Sequence, residues 1–378
     1  MVENLQAEAT EKLEPTRGNA QLRPTVNLRQ LELELDALRR EIASLRGEDD
    51  ANHIRDVIAA QRGCELGGRV LLNLGWLPPA WLLGTGLLTL AKILENMEIG
   101  HNVIHGQYDF LNDPQLFGQR YEWDWICTAD SWRRTHNLVH HTYTNIVGQD
   151  RDIGYGVLRM ADEQPWHLYN VPQPVYAAIQ ALLFEWAVAV HDLEFDEFLH
   201  GRKPLSDVIK RLRPLVKKAG RQLFKDYLLF PALAGPGAPV VFAGNLTANL
   251  LRNLWAFSVI VCGHFPQEVQ MHPMPCPDSD TRGAWYLRQI LGSANIEGPA
   301  WLHVLTGHLS YQIEHHLFPD LPSFRYPEIG ARVRQICAEH GVAYNTGPLG
   351  RQLASAWTRI VRCALPLPQK RAVQDQVA

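Results

Sequence analysis

The sequence lacks cysteines spaced as in a zinc ribbon or a redox motif. Its six cysteines, at positions 64, 127, 262, 276, 337 and 363, form no C-x-x-C pair, which excludes both motifs. The net charge of -4 shows no basic excess, so nucleic acid is not expected as a partner. The first residues, MVENLQAEATEKLEP, contain no apolar run, and no cleavable signal peptide is predicted.

Long apolar runs are few in these 378 residues, and the mean hydropathy is only -0.18. Residues 57–77 and 80–99 flank Pro78 and Pro79 and predict a membrane hairpin that turns at the prolines. Three further runs cover 172–191, 226–244 and 246–263. Because each run is close to the roughly 20 residues that a spanning helix needs, the sequence predicts a membrane protein with charged, aromatic segments outside the bilayer.

The N-terminal region, residues 1–50, is a polar extension with a heptad pattern. Residues 1–27 have the composition of a disordered segment. Apolar residues then recur at Leu31, Leu35, Leu38, Ile42 and Leu45. This pattern is compatible with a weak dimer through residues 28–47, or with an amphipathic helix that lies on the membrane or on the protein's own body. Residues 51–345 are assigned to one membrane domain and residues 346–378 to a C-terminal tail.

Histidine is abundant, and seven of the 16 histidines fall into three tight groups. The groups are His101 with His105; His136 with His140 and His141; and His315 with His316, preceded by Gln312. Residues i and i+4 of a helix share a face, so each group can direct its side chains to one point. Catalytic zinc takes only three protein ligands, so seven histidines predict two metal ions. Imidazole suits zinc, copper, iron and nickel alike.

Carboxylates are expected near these groups, because neutral imidazoles leave the charge of a metal uncompensated. Candidates that lie close in sequence and could orient the rings are Asp109, Asp150, Asp152 and Glu314. Asn145 is expected to cap a helix or bind water. His308 is a weaker candidate ligand, four residues before Gln312, and His53 is expected to be a surface or supporting residue, like the other unboxed histidines.

The three groups stand in the segments HNVIH, HNLVHHTYTNIVGQDRD and YQIEHHLFPDLPSFRY. Over roughly residues 60–345 the chain resembles the membrane fatty acid desaturase family. The resemblance implies an all-α integral membrane protein with about four transmembrane helices and a cytoplasmic helical cap that holds two iron ions. It implies an enzyme that uses O2 to insert a cis double bond into a lipid acyl chain. It also implies that His264, in the sequence CGHF, is a further ligand. Gln312 is a candidate ligand too, which could bind the metal directly or through water, or could only hydrogen-bond a neighbour.

The resemblance also bears on partners. The substrate is expected to be an acyl-lipid or acyl-CoA, presented at a lipid membrane. The Q-x-x-HH form of the third group resembles front-end desaturases, many of which carry a fused cytochrome b5 with an HPGG haem motif. No HPGG occurs here, so electrons are expected from a separate ferredoxin, flavoprotein or cytochrome b5.

Two other functions are compatible with the histidine groups. A lipid hydroxylase or ketolase could use the same scaffold and the same two irons. A membrane metal-binding or transport protein is the alternative from another class. Transporters place polar ligands near the membrane midplane within broken helices, whereas these groups follow the apolar runs. The sequence therefore favours the enzyme.

The position of the groups restricts how the chain crosses the membrane. Ligands of one centre must lie on one side, so the chain crosses an even number of times between His141 and His264. Three apolar runs lie in that interval. The run 172–191 contains two prolines and is predicted to be an interfacial helix, which leaves the last two runs as a second hairpin. The basic segment 202–225 predicts a cytoplasmic location for itself, both termini and the catalytic face.

Overall fold

The computed structural model describes residues 26–273 and 281–366, and most of them are helical. The first half contains α1 Leu28–Ser44, α2 Glu48–Asn73, α3 Pro78–Leu94, α4 Asn102–Ile104, α5 Ala129–Trp132, α6 His141–Tyr143, α7 Gln173–Leu182, α8 Phe184–His191 and α9 Phe195–Leu199. The second half contains α10 Leu205–Phe224, α11 Phe230–Leu233, α12 Ala238–His264, α13 Arg282–Leu291, α14 Ala300–Leu305, α15 Gln312–Leu317, α16 Tyr326–Glu339 and α17 Leu349–Ala364. The disorder expected for residues 1–27 falls mainly on 1–25, outside the described residues.

Shorter elements complete the chain. Three π-helical segments, Glu95–His101, Arg133–His140 and Lys225–Leu229, directly follow α3, α5 and α10. Turns of 3₁₀-helix occupy Asp109–Leu111, Ile153–Gly156, Leu168–Asn170, Gly235–Gly237, Leu309–Tyr311 and Ser323–Arg325. Strands β1 Asn295–Glu297 and β2 Thr346–Pro348 pair in parallel, with Asn295 opposite Thr346. The expected all-helical architecture is therefore correct for most of the described chain, with one small sheet beside it.

The first helix hairpin forms where the sequence predicts it. Helices α2 and α3 are joined by a short turn, and Pro78 begins α3, a position where the missing N–H of proline costs nothing. Small residues let the helices approach closely. A Cβ on Gly68 would lie 2.9 Å from the backbone oxygen of Gly84, and a Cβ on Gly244 of α12 would lie 2.5 Å from Leu72. Helix α12 thus packs against the same hairpin.

The second hairpin differs from the prediction in its turn. The basic segment 202–225 is not a loop but helix α10, which continues through α11 to Leu233. The chain reverses at Gly235–Gly237, and α12 then runs unbroken over 27 residues to His264. The predicted arm 226–244 is therefore wrong. The Gly-Pro-Gly stretch breaks the helix inside the apolar run, because glycine and proline end helices even where the sequence is apolar.

The predicted number of about four transmembrane helices is not confirmed. Within the described residues, Gly235–His264 alone is long and apolar enough to cross a membrane by itself. Helix α7 and the segment Phe184–Leu199 would form a second span if taken together, but they are bent by 103°. That bend lies within the run 172–191, for which an interfacial helix was predicted. The fold thus has one or two candidate spans by length and composition.

Helix α1 resolves the two alternatives for the heptad pattern. Leu31, Leu35, Leu38 and Ile42 are buried against α13 and α16, in a core that includes Tyr286 and Val333. The weak dimer through 28–47 is therefore not supported, because the seam is already covered by the protein's own body.

Helix α17 belongs to the core, although residues 346–378 were assigned to a tail. Ala356, Ile360 and Cys363 are buried at helical spacing, and β2 pairs with β1 immediately before α17. The boundaries at 50 and 345 stay a prediction; in the described residues α1 packs on α13 and α16, and α17 packs on α7 and α12. Arg359 and Arg362 stand between these apolar residues and hide the face in the sequence, although Arg359 is itself buried.

Candidate metal centre

The first two histidine groups lie on π-helical backbone. His101 ends the first π-helical segment, and His136 and His140 lie in the second. Hydrogen bonds in a π-helix run from i to i+5, so His136 and His140 are not one regular α-helical turn apart. His101 and His105 keep the expected α-helical spacing, because the N–H of His105 donates to the carbonyl of His101 at 3.2 Å. The rings still meet: the centroids of His101 and His105 are 4.7 Å apart, and those of His136 and His140 are 4.9 Å apart. Such π-segments are frequent at functional sites.

The boxed histidines form two adjacent clusters that could each hold a metal ion. The first contains His101, His105, His136 and His315, and the second contains His140, His264 and His316. Nε2 of His101 lies 3.3 Å from Nε2 of His315, and Nε2 of His264 lies 3.3 Å from Nε2 of His316. Two nitrogens bound at about 2.1 Å to one ion are roughly 3.0–3.4 Å apart. The spacing therefore fits one ion in each cluster.

His141 and Gln312 join these clusters. The ring centroid of His141 is 4.8 Å from that of His315 and 4.4 Å from that of His316. Gln312 places Nε2 3.0 Å from Nε2 of His264. The structure thus brings together all nine residues that the sequence analysis named as ligands.

Several polar atoms at this centre have no hydrogen-bond partner among the described residues. They are Nε2 of His105, His136 and His141, and Oε1 of Gln312, all of them buried. Leaving such an atom buried and unpaired costs about 1–3 kcal/mol, and a metal ion would supply the missing partner. The residues present therefore fit two metal ions.

Two of the expected carboxylates contact the rings. Both oxygens of Asp150 lie 3.0 Å from Nδ1 of His140, and Oδ2 of Asp152 lies 3.0 Å from Nδ1 of His136. A carboxylate at Nδ1 fixes the tautomer and leaves Nε2 free for a metal. The backbone N–H of Asn145 donates to Asp150 at 2.8 Å, which holds that carboxylate in place.

The other expected supporting residues make different contacts. Asp109 accepts a hydrogen bond from a backbone amide, and Glu314 accepts from Asn295 and from the hydroxyl of Tyr344. Neither carboxylate is paired with a boxed ring in the described chain. Glu314 points to another side of α15 than its neighbour His315, because successive residues of a helix face different directions. The side chain of Asn145 donates to a distant backbone carbonyl at 2.8 Å and so anchors a loop.

Three supporting residues were missed by the sequence analysis. Gln289 places Oε1 3.0 Å from Nδ1 of His316, and the hydroxyl of Tyr326 lies 3.3 Å from Nδ1 of His315. Trp132 stacks on His136, with ring centroids 4.1 Å apart. Tyr326 stands in the third motif and Trp132 directly before the second π-segment, but nothing local marks Gln289, which reaches the site through packing of α13 on α15.

Burial keeps most of these imidazoles neutral. It lowers the pKa of His101 to about 3 and the pKa of His141, His315 and His316 well below the usual value. Neutral imidazole is the form that binds metals. His140 differs, because the charge of Asp150 raises its pKa despite burial.

The fold and the site define a helical protein with two adjacent, buried histidine clusters able to hold metal ions, beside one or two candidate membrane spans. The family model for fatty acid desaturase matches residues 74–348. The chain belongs to this membrane-associated family, and it is a fatty acid desaturase.

Individual relatives agree with this assignment. The chain is 46% identical over 344 residues to an NADPH-dependent stearoyl-CoA 9-desaturase of Mycobacterium tuberculosis, covering 90% of this chain and 81% of the relative. It is 26% identical over 284 residues to an sn-1 linoleoyl-lipid 6-desaturase of Synechocystis sp., covering 71% and 76%. It is 29% identical over 285 residues to fatty acid desaturase 3 of Homo sapiens, covering 74% and 60%.

Proposed function

We propose that the protein is a di-iron, O2-dependent desaturase of a saturated acyl-CoA of stearoyl length. The observation that carries the proposal is the convergence of eight buried histidines, four of which have a ring nitrogen without a hydrogen-bond partner among the described residues. His101, His105, His136 and His315 would hold one iron, and His140, His264 and His316 would hold the other. His141 and Gln312 complete the set at the second cluster.

Iron bound here would supply the oxidation of an unactivated methylene pair by O2, which acid–base side chains cannot perform. The overall reaction is –CH2–CH2– with O2, two electrons and two protons, giving –CH=CH– and two waters. The chain's own residues set the geometry. Asp150 and Asp152 hydrogen-bond the Nδ1 atoms of two rings. Gln289 and Tyr326 do the same for two others. Outer partners of this kind raise ligand basicity and metal affinity.

The acyl carrier and the position of the double bond are inferred from the relatives. The relative at 46% identity is named for stearoyl-CoA and position 9, which favours CoA over a carrier protein or phospholipid. The two other relatives named above are less similar. The name of the relative at 46% identity also includes NADPH. This name supports a separate NADPH-dependent reductase as the electron source, since no HPGG haem motif occurs in this sequence.

Membrane insertion through two hairpins is part of the proposal. Helices α2 and α12, of 26 and 27 residues, are about 40 Å long at 1.5 Å per residue and exceed the bilayer core. Exposed apolar side chains lie along both hairpins: Leu66, Trp76, Leu82, Leu228 and Leu233. Such exposure in a water-filled setting would be unfavourable. Both hairpins are therefore proposed to cross the membrane, with the histidine clusters on the cytoplasmic side.

The test is product analysis with the purified full-length protein, stearoyl-CoA, O2, NADPH and an added reductase chain. Gas chromatography–mass spectrometry with derivatives that locate double bonds should show mainly a cis-9 alkene. Mostly hydroxylated chains would assign the hydroxylase alternative instead. Turnover by the lone purified chain with NADPH would contradict the separate electron donor. Metal analysis that found one zinc ion and no iron would contradict the di-iron centre.

A further inference from the structure

Another group of potential metal ligands lies outside the histidine boxes. Nε2 of His53 lies 2.8 Å from Oε1 of Glu98, and Nδ1 of His308 lies 2.9 Å from Oε2 of the same carboxylate. The three ligand atoms are all within 4.8 Å of one another. This group shares no residue with the two clusters of the proposed iron centre.

The three residues come from separate parts of the chain, and two of them lie on unusual backbone conformations. Glu98 belongs to the π-helical segment before His101. His308 has φ 54°, a conformation that is uncommon for a residue other than glycine and that clusters at functional sites. The preceding Gly307 allows this turn to touch the π-segment, because a Cβ there would lie 2.4 Å from the backbone oxygen of Met97.

No lysine or arginine among the described residues forms an ion pair with the carboxylate of Glu98. Its side chain is fully buried, and its ion-pair partners in the described residues are His53 and His308. Ser323 adds a hydroxyl at 3.1 Å. A buried carboxylate needs a compensating positive charge, and neutral imidazoles do not provide one. Either a proton or a metal cation must therefore reside among these three side chains.

The donor types favour a metal cation. Two imidazoles and one carboxylate form a known ligand set of zinc sites that keep a fourth position open. His53 remains 13% exposed, which leaves a route for an ion from solvent. Its ring stacks on Phe324 at a centroid distance of 4.8 Å, so it is held against the protein instead of swinging free.

We propose that His53, Glu98 and His308 form a third metal site, separate from the two histidine clusters, that binds a divalent transition-metal cation such as Zn²⁺. The bound ion links α2 to the π-segment that carries the first histidine box and to the turn that precedes the third. It would thereby crosslink and stabilise the elements that carry the boxed histidines.

The test is metal uptake by the iron-loaded, full-length protein in detergent. Zinc and iron are measured together by mass spectrometry after equilibration with ZnSO4 and removal of free metal. We expect about one zinc ion per chain beyond the iron content, with iron unchanged, and a higher melting temperature with zinc. His53→Ala and His308→Ala should each weaken zinc binding by more than about 100-fold, the upper range for loss of an outer partner.

Two further variants keep the test decisive. Glu98→Gln preserves side-chain size and removes the charge, so it should also lose the zinc while it keeps the fold. His340→Ala is the matched control, because His340 pairs with Glu34 at 3.0 Å away from both sites and should leave zinc uptake unchanged. The proposal is overturned if the parent takes up no additional zinc, if zinc enters only with an equal loss of iron, or if Glu98→Gln and His53→Ala bind zinc as the parent does.

Discussion

At the scale of single residues, the centre depends on what stands behind each imidazole. Asp150 accepts hydrogen bonds from the backbone N–H groups of Asn145 and Asp152 and also faces Nδ1 of His140. It therefore has a fixed position before any metal arrives. A ring held in this way presents Nε2 in one direction and loses little freedom on binding. The orientation of the imidazoles thus depends on the side chains that hydrogen-bond their Nδ1 atoms.

Asp150→Asn should lower metal affinity without removing a ligand. The amide keeps the size of the carboxylate but not its charge, so His140 becomes a weaker ligand. We expect affinity to fall about 10- to 100-fold, as for other outer partners, with a matching loss of activity at limiting iron. Iron titration measures the effect. Asp162→Asn is the control, because Asp162 pairs with Arg362 on another face; equal losses in both variants would contradict the assignment.

Gly263→Ala should displace Gln312 from the second cluster. A Cβ at position 263 would lie 2.9 Å from the side chain of Gln312, and overpacking of this kind costs about 1–3 kcal/mol. We expect reduced iron content and reduced activity in a folded protein. Gly86→Ala in α3 is the control, because its Cβ would meet nothing within 4 Å. Normal activity of Gly263→Ala would mean that Gln312 has no role at the centre.

The residues of the site were predictable to different degrees. The boxed histidines were found because short spacings beside apolar runs mark them. His264 has no such pattern, and only the family resemblance indicated it. Gln289 could not be found, because its contact with His316 depends on how α13 packs against α15. Glu314 was misplaced for the opposite reason: nearness in sequence to His315 does not give a shared face.

At the scale of elements, the second hairpin shows that hydropathy and helix-breaking residues can predict different helix ends. The apolar run 226–244 looks like one span, but Gly235–Gly237 ends the preceding helix within it. Helix α10 then continues through a π-helical segment into α11, so a basic helix and an apolar helix form one continuous element. Under the proposed topology, its basic residues would lie at the membrane surface and its apolar end within the bilayer.

Labelling of introduced cysteines tests this arrangement. Lys217 is exposed on α10, and Gly350 is exposed at the start of α17. Single cysteines at 203, 217 and 350, in a background without the native cysteines, should not react with an impermeant reagent added outside intact cells. They should react fully after the membrane is opened, because basic segments stay cytoplasmic. Labelling at 217 from outside would mean that the bent run 172–191 crosses the membrane.

At the scale of the whole molecule, many buried neutral histidines make folding sensitive to acid. Helices α1, α13, α15 and α16 pack together around the third histidine group, so these histidines stay shielded from water while the fold is intact. Unfolding exposes all of them together. We therefore expect the protonation of the histidines to be coupled to global stability.

Removal of metal should make this coupling visible in thermal melts. In the folded protein burial lowers the pKa of His101 to about 3 and the pKa of His105, His136, His141, His315 and His316 well below 6.5. In the unfolded chain histidines titrate near 6.5. Below that pH the unfolded state binds more protons, so stability falls as pH falls, through the window from about 6.5 down toward 3.

We expect the melting temperature of the chelator-treated protein to drop steadily from pH 7 to pH 5. The triple variant His105→Gln, His141→Gln, His315→Gln should show a shallower drop, because three of the histidines are gone. A chelator-treated parent that melts at the same temperature at pH 5 and pH 7 would show that the buried rings do not remain neutral.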